Sequence, residues 1–260
     1  MRDLTVSIVV YNNYDDVEKA VASIEKHTNP AISKNVFLID NSCRSASDND
    51  RQAFENKMSA YADVEYINVG ENIGFGKGHN YAMNSYSSRF HAIVNPDITF
   101  SEDVFSGLID FMNNTGAGMC IPRIVDSDGN LQKAYRREIT VFDIMNRTFF
   151  RNMFKKRDRM HTMQDMDYSK PFEVPFAQGS FLLIKTDLFQ KIDGFDDRFF
   201  MYLEDADLCK RVSSTDKIIY CPYVTVCHKW EKGSHKSGKL AKVHLQSMFK
   251  YFNKWKWKLA

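Results

Sequence analysis

Four short, largely apolar runs, each closed by a polar turn and followed by helical periodicity, set the strongest limit on how this chain can fold. TVSIVVY at 5–11, VFLI at 36–39, VEYINV at 64–69 and HAIV at 91–94 have the length and β-branched content of buried strands. After the first, Asp15 and Asp16 open a pattern with Val17, Ala20, Val21 and Ile24 at helix spacing, the two acids facing the positive end of the helix dipole. After the second, a polar stretch at 45–50 leads to a helix containing Ala53, Phe54 and Met58. The third is followed by ENIGFGKGHN and a short helix. After the fourth, Ser101 reads as an N-cap, with Val104, Leu108 and Met112 on one face. Such alternation predicts an α/β fold: a mostly parallel central sheet with helices on both faces.

The second half is less regular. MCIPRI reads as a strand and Asp126 to Asn130 as a turn. Residues 136–170 mix Arg and Lys with Phe and five Met, which predicts a mobile or surface-docking insert. FLLI at 181–184, a helix at 186–192, a turn at Asp193-Gly194 and a helix from Glu204 follow, then two short strands at 218–221 and 224–228. A catalytic domain over 1–235 and a basic aromatic tail over 236–260 are expected.

Five cysteines with no Cys-x-x-Cys pair point to neither a disulfide framework nor a cysteine zinc site, and no apolar run approaches a membrane span. The net charge of +2 hides an asymmetry: residues 1–130 carry 10 Lys and Arg against 18 Asp and Glu, and residues 131–260 carry 25 against 15. The basic half either faces an anionic partner or is a solvated face.

In open parallel sheets, ligands bind beyond the carboxyl ends of the strands. Tyr11-Asn12, Asp40-Asn41, Asn72 and Asn95-Pro96-Asp97 bring polar groups to that edge from four successive strands, which points to a nucleotide site rather than to ordinary loop ends. The stretch Gly74 to Gly78 invites a dinucleotide reading, but position 79 is His where G-x-G-x-x-G needs Gly. Asp97 is suited to hold Mg2+ or Mn2+ against a diphosphate, or is a turn residue. His228 is a second metal ligand or a surface histidine. Glu204, Asp205 and Asp207 lie among Phe199, Phe200, Tyr202 and Leu203. They cannot share one helix face, and a desolvated acid there would be a stronger base.

SIVVYNN, IDNS, ENIGFGKGHN, NPD and GSFLLIKTDLFQKIDGFDDRFFMYLEDADLCKR, in that order, resemble family 2 inverting glycosyltransferases of GT-A fold, with the bacterial rhamnosyltransferases of surface polysaccharides most similar. The resemblance spans about residues 5–235. It implies that Tyr11, Asn12 and Asp40 contact the base and ribose, that Asn72, Gly74, Asn80 and Asn95 line the sugar-nucleotide pocket, and that Asp97 and His228 bind the metal. It implies Asp205 as catalytic base, with Glu204, Gly179 and Ser180 on the acceptor side. The family's first metal-motif acid is here the amide Asn95, which weakens the expected hold on Mn2+ or Mg2+.

The expected activity is inverting transfer, of rhamnose from dTDP-rhamnose first and of a hexose from UDP second, to a lipid-linked or polysaccharide hydroxyl. A nucleotidylyltransferase, a dehydrogenase and a non-catalytic glycan- or nucleic-acid-binding module are the competing classes, and no nucleic-acid partner is expected. From Leu240 to Phe252 the tail reads as a packed helix. Beyond Asn253 the alternation Lys254-Trp255-Lys256-Trp257-Lys258 predicts docking on anionic lipid at the cytoplasmic face of the membrane, with removal of this end leaving donor chemistry intact.

Overall fold

The computed structural model describes residues 2–85, 87–149, 153–229 and 238–259. The expected boundary at 235–236 and Phe150 of the insert lie outside them. Strands β1 (Arg2–Val10), β2 (Lys34–Asp40), β3 (Val64–Asn68) and β4 (Ser88–Val94) pair in parallel in the order β3-β2-β1-β4. Helices α1 (Tyr14–His27), α2 (Asn49–Met58) and α3 (Phe75–Ser85) connect them. Alternation along β1 divides its side chains between two faces. Leu4, Val6, Ile8 and Val10 join Val17, Ala20, Val21 and Ile24 of α1 in the main core. Ser7 and Val9 meet α3, where Gly78 allows contact: a Cβ there would stand 2.5 Å from Val9 Cγ2.

Beyond β4 the sheet is mixed. It continues through β5 (Ile98–Thr99), β6 (Met119–Val125), β10 (Phe181–Lys185) and β11 (Ile218–His228) in the order β4-β10-β6-β11-β5, with β10 antiparallel to both neighbours and β11 parallel to β6. The two short strands expected at 218–228 are one. Its register against β6 shifts between Cys221 and Thr225, around Pro222, which cannot donate to a ladder. Helix α4 (Val104–Thr115) is capped by Asp103, whose carboxylate accepts from the Ser106 N–H at 3.2 Å, and not by Ser101. The short carboxylate reaches N3 from the residue adjoining the helix, and Ser101 lies too early.

The 136–170 stretch is not a simple surface insert. After β7 (Tyr135–Arg136) it forms α5 (Val141–Phe149) and α6 (Lys155–His161), and it buries Ile139 and Met163 in the main core. Arg137 makes two hydrogen bonds to Asp165, at 2.9 and 2.8 Å. Short strands β8 (Phe172–Glu173) and β9 (Phe176–Ala177) lead into β10, and α7 (Thr186–Lys191) and α8 (Glu204–Ser213) into β11.

Helix α9 (Gly238–Trp255) lies along the body with Tyr251 and Phe252 buried. The Lys-Trp alternation that follows from Lys254 is partly absorbed by that packing. Lys254 Nζ stands 2.6 Å from Asp207, the Trp255 indole donates to the same carboxylate at 2.8 Å, and Lys258 pairs with Glu138 at 2.6 Å. Asp207, fully buried on α8, also receives the Arg211 Nε at 2.8 Å. Removal of the chain after Asn253 would therefore also uncover a buried carboxylate on α8.

Candidate active site

The C-terminal ends of β1, β2, β4 and β11 and the N-terminal end of antiparallel β10 meet at one sheet edge, and most of the residues singled out in the sequence lie along it. At its β1–β2 end, Asp40 is buried with both oxygens engaged. Oδ2 accepts from the hydroxyls of Tyr14 at 2.8 Å and Tyr66 at 2.6 Å, and Oδ1 from the Ser42 N–H at 2.8 Å. Burial and the Asp40 carboxylate raise both phenols above their ordinary range. Asn12, left-handed at φ 57°, donates its N–H to Ser42 Oγ at 2.8 Å and accepts from Arg44 at 2.9 Å, while Tyr11 is exposed. Ser42 closes the IDNS motif without having been singled out, and Tyr14 and Tyr66 lie outside the motifs, so neither tyrosine was legible in the sequence.

The glycine motif builds a wall instead of a phosphate cradle. The Asn72 side chain accepts from the Gly74 N–H at 3.0 Å and Asn41 donates to the Gly74 carbonyl at 3.0 Å. Gly74 (φ 89°) must be glycine because a Cβ would fall 2.3 Å from the Phe200 carbonyl oxygen. Phe75 donates its N–H to that same oxygen at 3.1 Å. Asn80 clamps the next loop, donating to the Phe195 carbonyl and Asp197 and accepting from the Phe195 N–H. Two motifs more than a hundred residues apart thus form one unit, and Asn72 and Asn80 hold protein groups.

That unit aims the acidic helix. Tyr202 and Leu203, at φ 71° and 65°, are successive non-glycine residues in the left-handed region, at a cost of about 1–2 kcal/mol each. Helix α8 starts directly after them. Asp205 accepts from the Gly179 N–H at 3.1 Å and from the Ala206 N–H at 2.8 Å. A Cβ on Gly179 would stand 3.3 Å from the Asp205 Cβ, so glycine permits this approach. Burial raises the Asp205 carboxyl above its usual range, opposed by those two N–H groups and by the charge of Arg136, a residue the sequence reading did not single out. Glu204 is raised further, by burial and by Asp205. Glu204 Oε2 and Ser180 Oγ are both buried without a hydrogen-bond partner. Orphaned buried polar atoms are uncommon and ask for a ligand. Asp207 is the third acid, turned inward to its ion pairs.

The Asn95 N–H donates to the Ser180 carbonyl at 2.8 Å, joining the Asn95–Asp97 turn to the segment that holds Asp205. On the other side of that turn, Asp97 Oδ1 lies 3.3 Å from His228 Nε2. Neighbouring octahedral ligands at about 2.1 Å from a metal stand about 3 Å apart, so this pair fits a divalent cation of the Mg2+ or Mn2+ class. Among the described residues no group of three or more His, Cys, Asp or Glu could hold a metal. His228 is buried, and Gln132 brackets it: the imidazole Nδ1 is 2.9 Å from Gln132 Oε1, and Gln132 Nε2 donates to the His228 carbonyl at 2.7 Å.

The model of the family described as Glycosyl transferase family 2 matches residues 5–193. The N-acetylglucosaminyl-diphospho-decaprenol L-rhamnosyltransferase of Mycobacterium tuberculosis (strain ATCC 25618 / H37Rv) is 26% identical over 262 residues, covering 95% of this chain and 81% of that protein. Rhamnosyltransferase WbbL of Escherichia coli (strain K12) is 27% identical over 205 residues, 74% of each. Among solved structures, GalNAc-T7 with UDP, GalNAc and Mn2+ superposes with a TM-score of 0.70 at 13% identity over 98% of this chain, which spans 50% of that one. The Pyrobaculum calidifontis mannosyltransferase with GDP-Man and Mn2+ gives a TM-score of 0.66 at 16% identity, over 97% of this chain and 66% of that one. At such identities the structures speak for the fold alone, which is GT-A.

Proposed function

The chain belongs to glycosyl transferase family 2 and is a glycosyltransferase, and from that premise we propose that it transfers rhamnose, with inversion, from dTDP-rhamnose to a hydroxyl of a lipid-linked glycan. The relatives named as rhamnosyltransferases support the donor sugar, and the decaprenol diphosphate in one of those names supports a polyprenyl-diphosphate acceptor. A UDP-hexose is the second donor, because thymine and uracil offer the same hydrogen-bonding edge.

One observation carries the reading. Asp205, a carboxylate fixed by two backbone N–H groups, is joined through Gly179, Ser180 and Asn95 to the Asp97–His228 pair. This link supports reading Asp205 as the base and the Asp97–His228 pair as the diphosphate-neutralising centre of one site. Asp97 and His228 would hold the cation, which when bound supplies positive charge against the leaving diphosphate. Asp205 accepts the proton of the acceptor hydroxyl as its oxygen attacks the anomeric carbon from the face opposite the departing phosphate oxygen. Glu204 Oε2 and Ser180 Oγ, both buried without a hydrogen-bond partner, orient the acceptor. Tyr11, Asn12 and the Asp40 cluster receive the nucleoside, and Asn72, Gly74 and Asn80 hold the pocket wall.

Among the described residues no helix is long and apolar enough to cross a membrane. A peripheral dock at an anionic leaflet is supported by exposed Leu245, Phe249, Trp257 and Leu259 beside exposed Lys242 and Lys256. The insert extends this surface, since Phe142 donates its N–H to the Leu259 carbonyl and stacks edge-on with exposed Phe154.

A donor screen tests the function. Nucleoside diphosphate should be released from dTDP-rhamnose only when a sugar on a polyprenyl diphosphate and Mn2+ or Mg2+ are both supplied. Turnover with UDP-hexoses alone would move the donor assignment, and binding of NAD in place of nucleoside diphosphates would end the proposal.

A further inference from the structure

The bracket around His228 fixes more than its position. Resting on the reading of Asp97 and His228 as metal ligands, we propose that Gln132 is their positioning residue: it holds His228 as the Nδ1–H tautomer, so that the Nε2 lone pair and the Asp97 carboxylate face the same point.

The assignment follows from donor and acceptor chemistry. The amide of Gln132 touches His228 twice, at the backbone carbonyl (2.7 Å) and at the ring Nδ1 (2.9 Å). A carbonyl oxygen can only accept, so the amide NH2 must face it. The amide oxygen is then what meets Nδ1, and it too can only accept. Nδ1 must therefore carry the proton. In neutral imidazole this leaves Nε2 as a lone pair, directed at Asp97 Oδ1 across 3.3 Å. Two acceptors at that distance repel unless a cation or a proton lies between them, and in the neutral tautomer a cation satisfies both.

The backbone is shaped to deliver this residue. β6 ends at Val125, and a tight turn reverses the chain: Asp126 Oδ1 accepts from the Asp128 and Asn130 N–H groups at 3.0 and 2.8 Å, and Gly129 takes φ 81°. Leu131 then bridges back to Val125, and the Gln132 N–H donates to the Ile124 carbonyl at 2.9 Å. Because β11 runs parallel to β6 with Cys227 opposite Val125, Gln132 arrives beside His228. Hydrogen-bond partners that fix the tautomer and ring orientation of a metal-binding histidine typically change metal affinity 10- to 100-fold when removed.

Two variants and two readouts test the proposal. Mn2+ affinity is measured by calorimetry on full-length protein with thymidine diphosphate present. The tautomer of His228 is read on metal-free protein from long-range 1H–15N spectra, its signals assigned with the His228→Gln variant. Gln132→Leu removes both contacts and should lower Mn2+ affinity about tenfold or more while the Nδ1–H pattern gives way to Nε2–H. Gln132→Glu keeps an acceptor for Nδ1–H, and should keep that tautomer and most of the Mn2+ affinity. An unchanged tautomer in Gln132→Leu, or unchanged Mn2+ affinity in a variant whose thermal midpoint is intact, would overturn the role of Gln132. If wild-type protein and His228→Gln bind Mn2+ equally, the metal-ligand reading of His228 fails instead.

Discussion

The two halves of the sheet edge differ in how far they are built before any substrate arrives. On the β1–β2 side, most of the polar groups at the edge are held by the protein, Asn41 Oδ1 being the buried exception. Asp40 is held by Tyr14, Tyr66 and Ser42, Asn80 clamps Phe195 and Asp197, and Asn72 closes its own turn. On the β10–α8 side, Ser180 Oγ and Glu204 Oε2 are buried without partners, and α8 begins after two left-handed residues. The first half is mostly closed hydrogen bonding, which supports its reading as the nucleotide side. The second leaves two side-chain oxygens unpaired beside two successive left-handed residues, which supports its reading as the acceptor side. Its stability has to come from elsewhere, and Asp207, Arg211, Lys254 and Trp255 tie α8 to the end of α9.

That tie gives the largest expected effect. Asp207→Ala would leave Arg211 without its carboxylate partner and Lys254 with Asp196 alone, in a mostly buried setting, and should lower unfolding stability by about 3–5 kcal/mol in chemical denaturation. A loss below about 1 kcal/mol would mean that α8 is held by packing alone. Next comes the metal pair: Asp97→Ala should weaken nucleotide binding at least about tenfold with Mn2+ present, and little in chelator. Equal losses in both conditions would reduce Asp97 to a turn residue.

The donor half has its own weak point in acid. Ser7 Oγ is bonded to His79 Nδ1 at 2.7 Å and His91 Nε2 at 2.8 Å, and burial pushes both imidazoles down, His91 to about 3. The native state therefore binds fewer protons than the unfolded chain, whose histidines titrate near 6.5. This contribution is present above about pH 6.5 and is lost as pH falls, by about 1.4 kcal/mol per pH unit for a single such histidine. Glu204 and Asp205, raised by burial, act in the opposite sense in their own range. Urea midpoints between pH 7 and pH 5 should thus fall less in His91→Asn than in wild type. An identical pH slope would remove the pair from the account. The smallest effect is expected at the surface, where Phe249→Ser with Trp257→Ser should reduce binding to anionic liposomes severalfold and leave nucleoside-diphosphate binding unchanged. Unaltered liposome binding would exclude this patch.

The regular half was also the readable half. Alternating apolar runs placed β1 to β4, and first-turn acids placed α1, because local burial and dipole chemistry act within a few residues. The start of α8 at Glu204 was legible for the same reason. The insert was not, because Ile139 and Met163 enter the core without helical or strand periodicity. Nor was the bend at Pro222, where a missing donor resembles the end of a strand. That Lys254 and Trp255 are tied to the body was not legible in the Lys-Trp alternation, because their partner Asp207 lies nearly fifty residues away. Gln132 carries no motif, since its meaning exists only beside His228.

The central claim is that base and nucleotide site are separate devices sharing one edge. It is tested most directly by Asp205→Asn, with turnover and nucleoside-diphosphate affinity measured on the same preparation. The expected result is a loss of transfer of at least about 100-fold with nucleotide affinity near wild type. Retention of most of the turnover would contradict the claim and turn attention to Glu204.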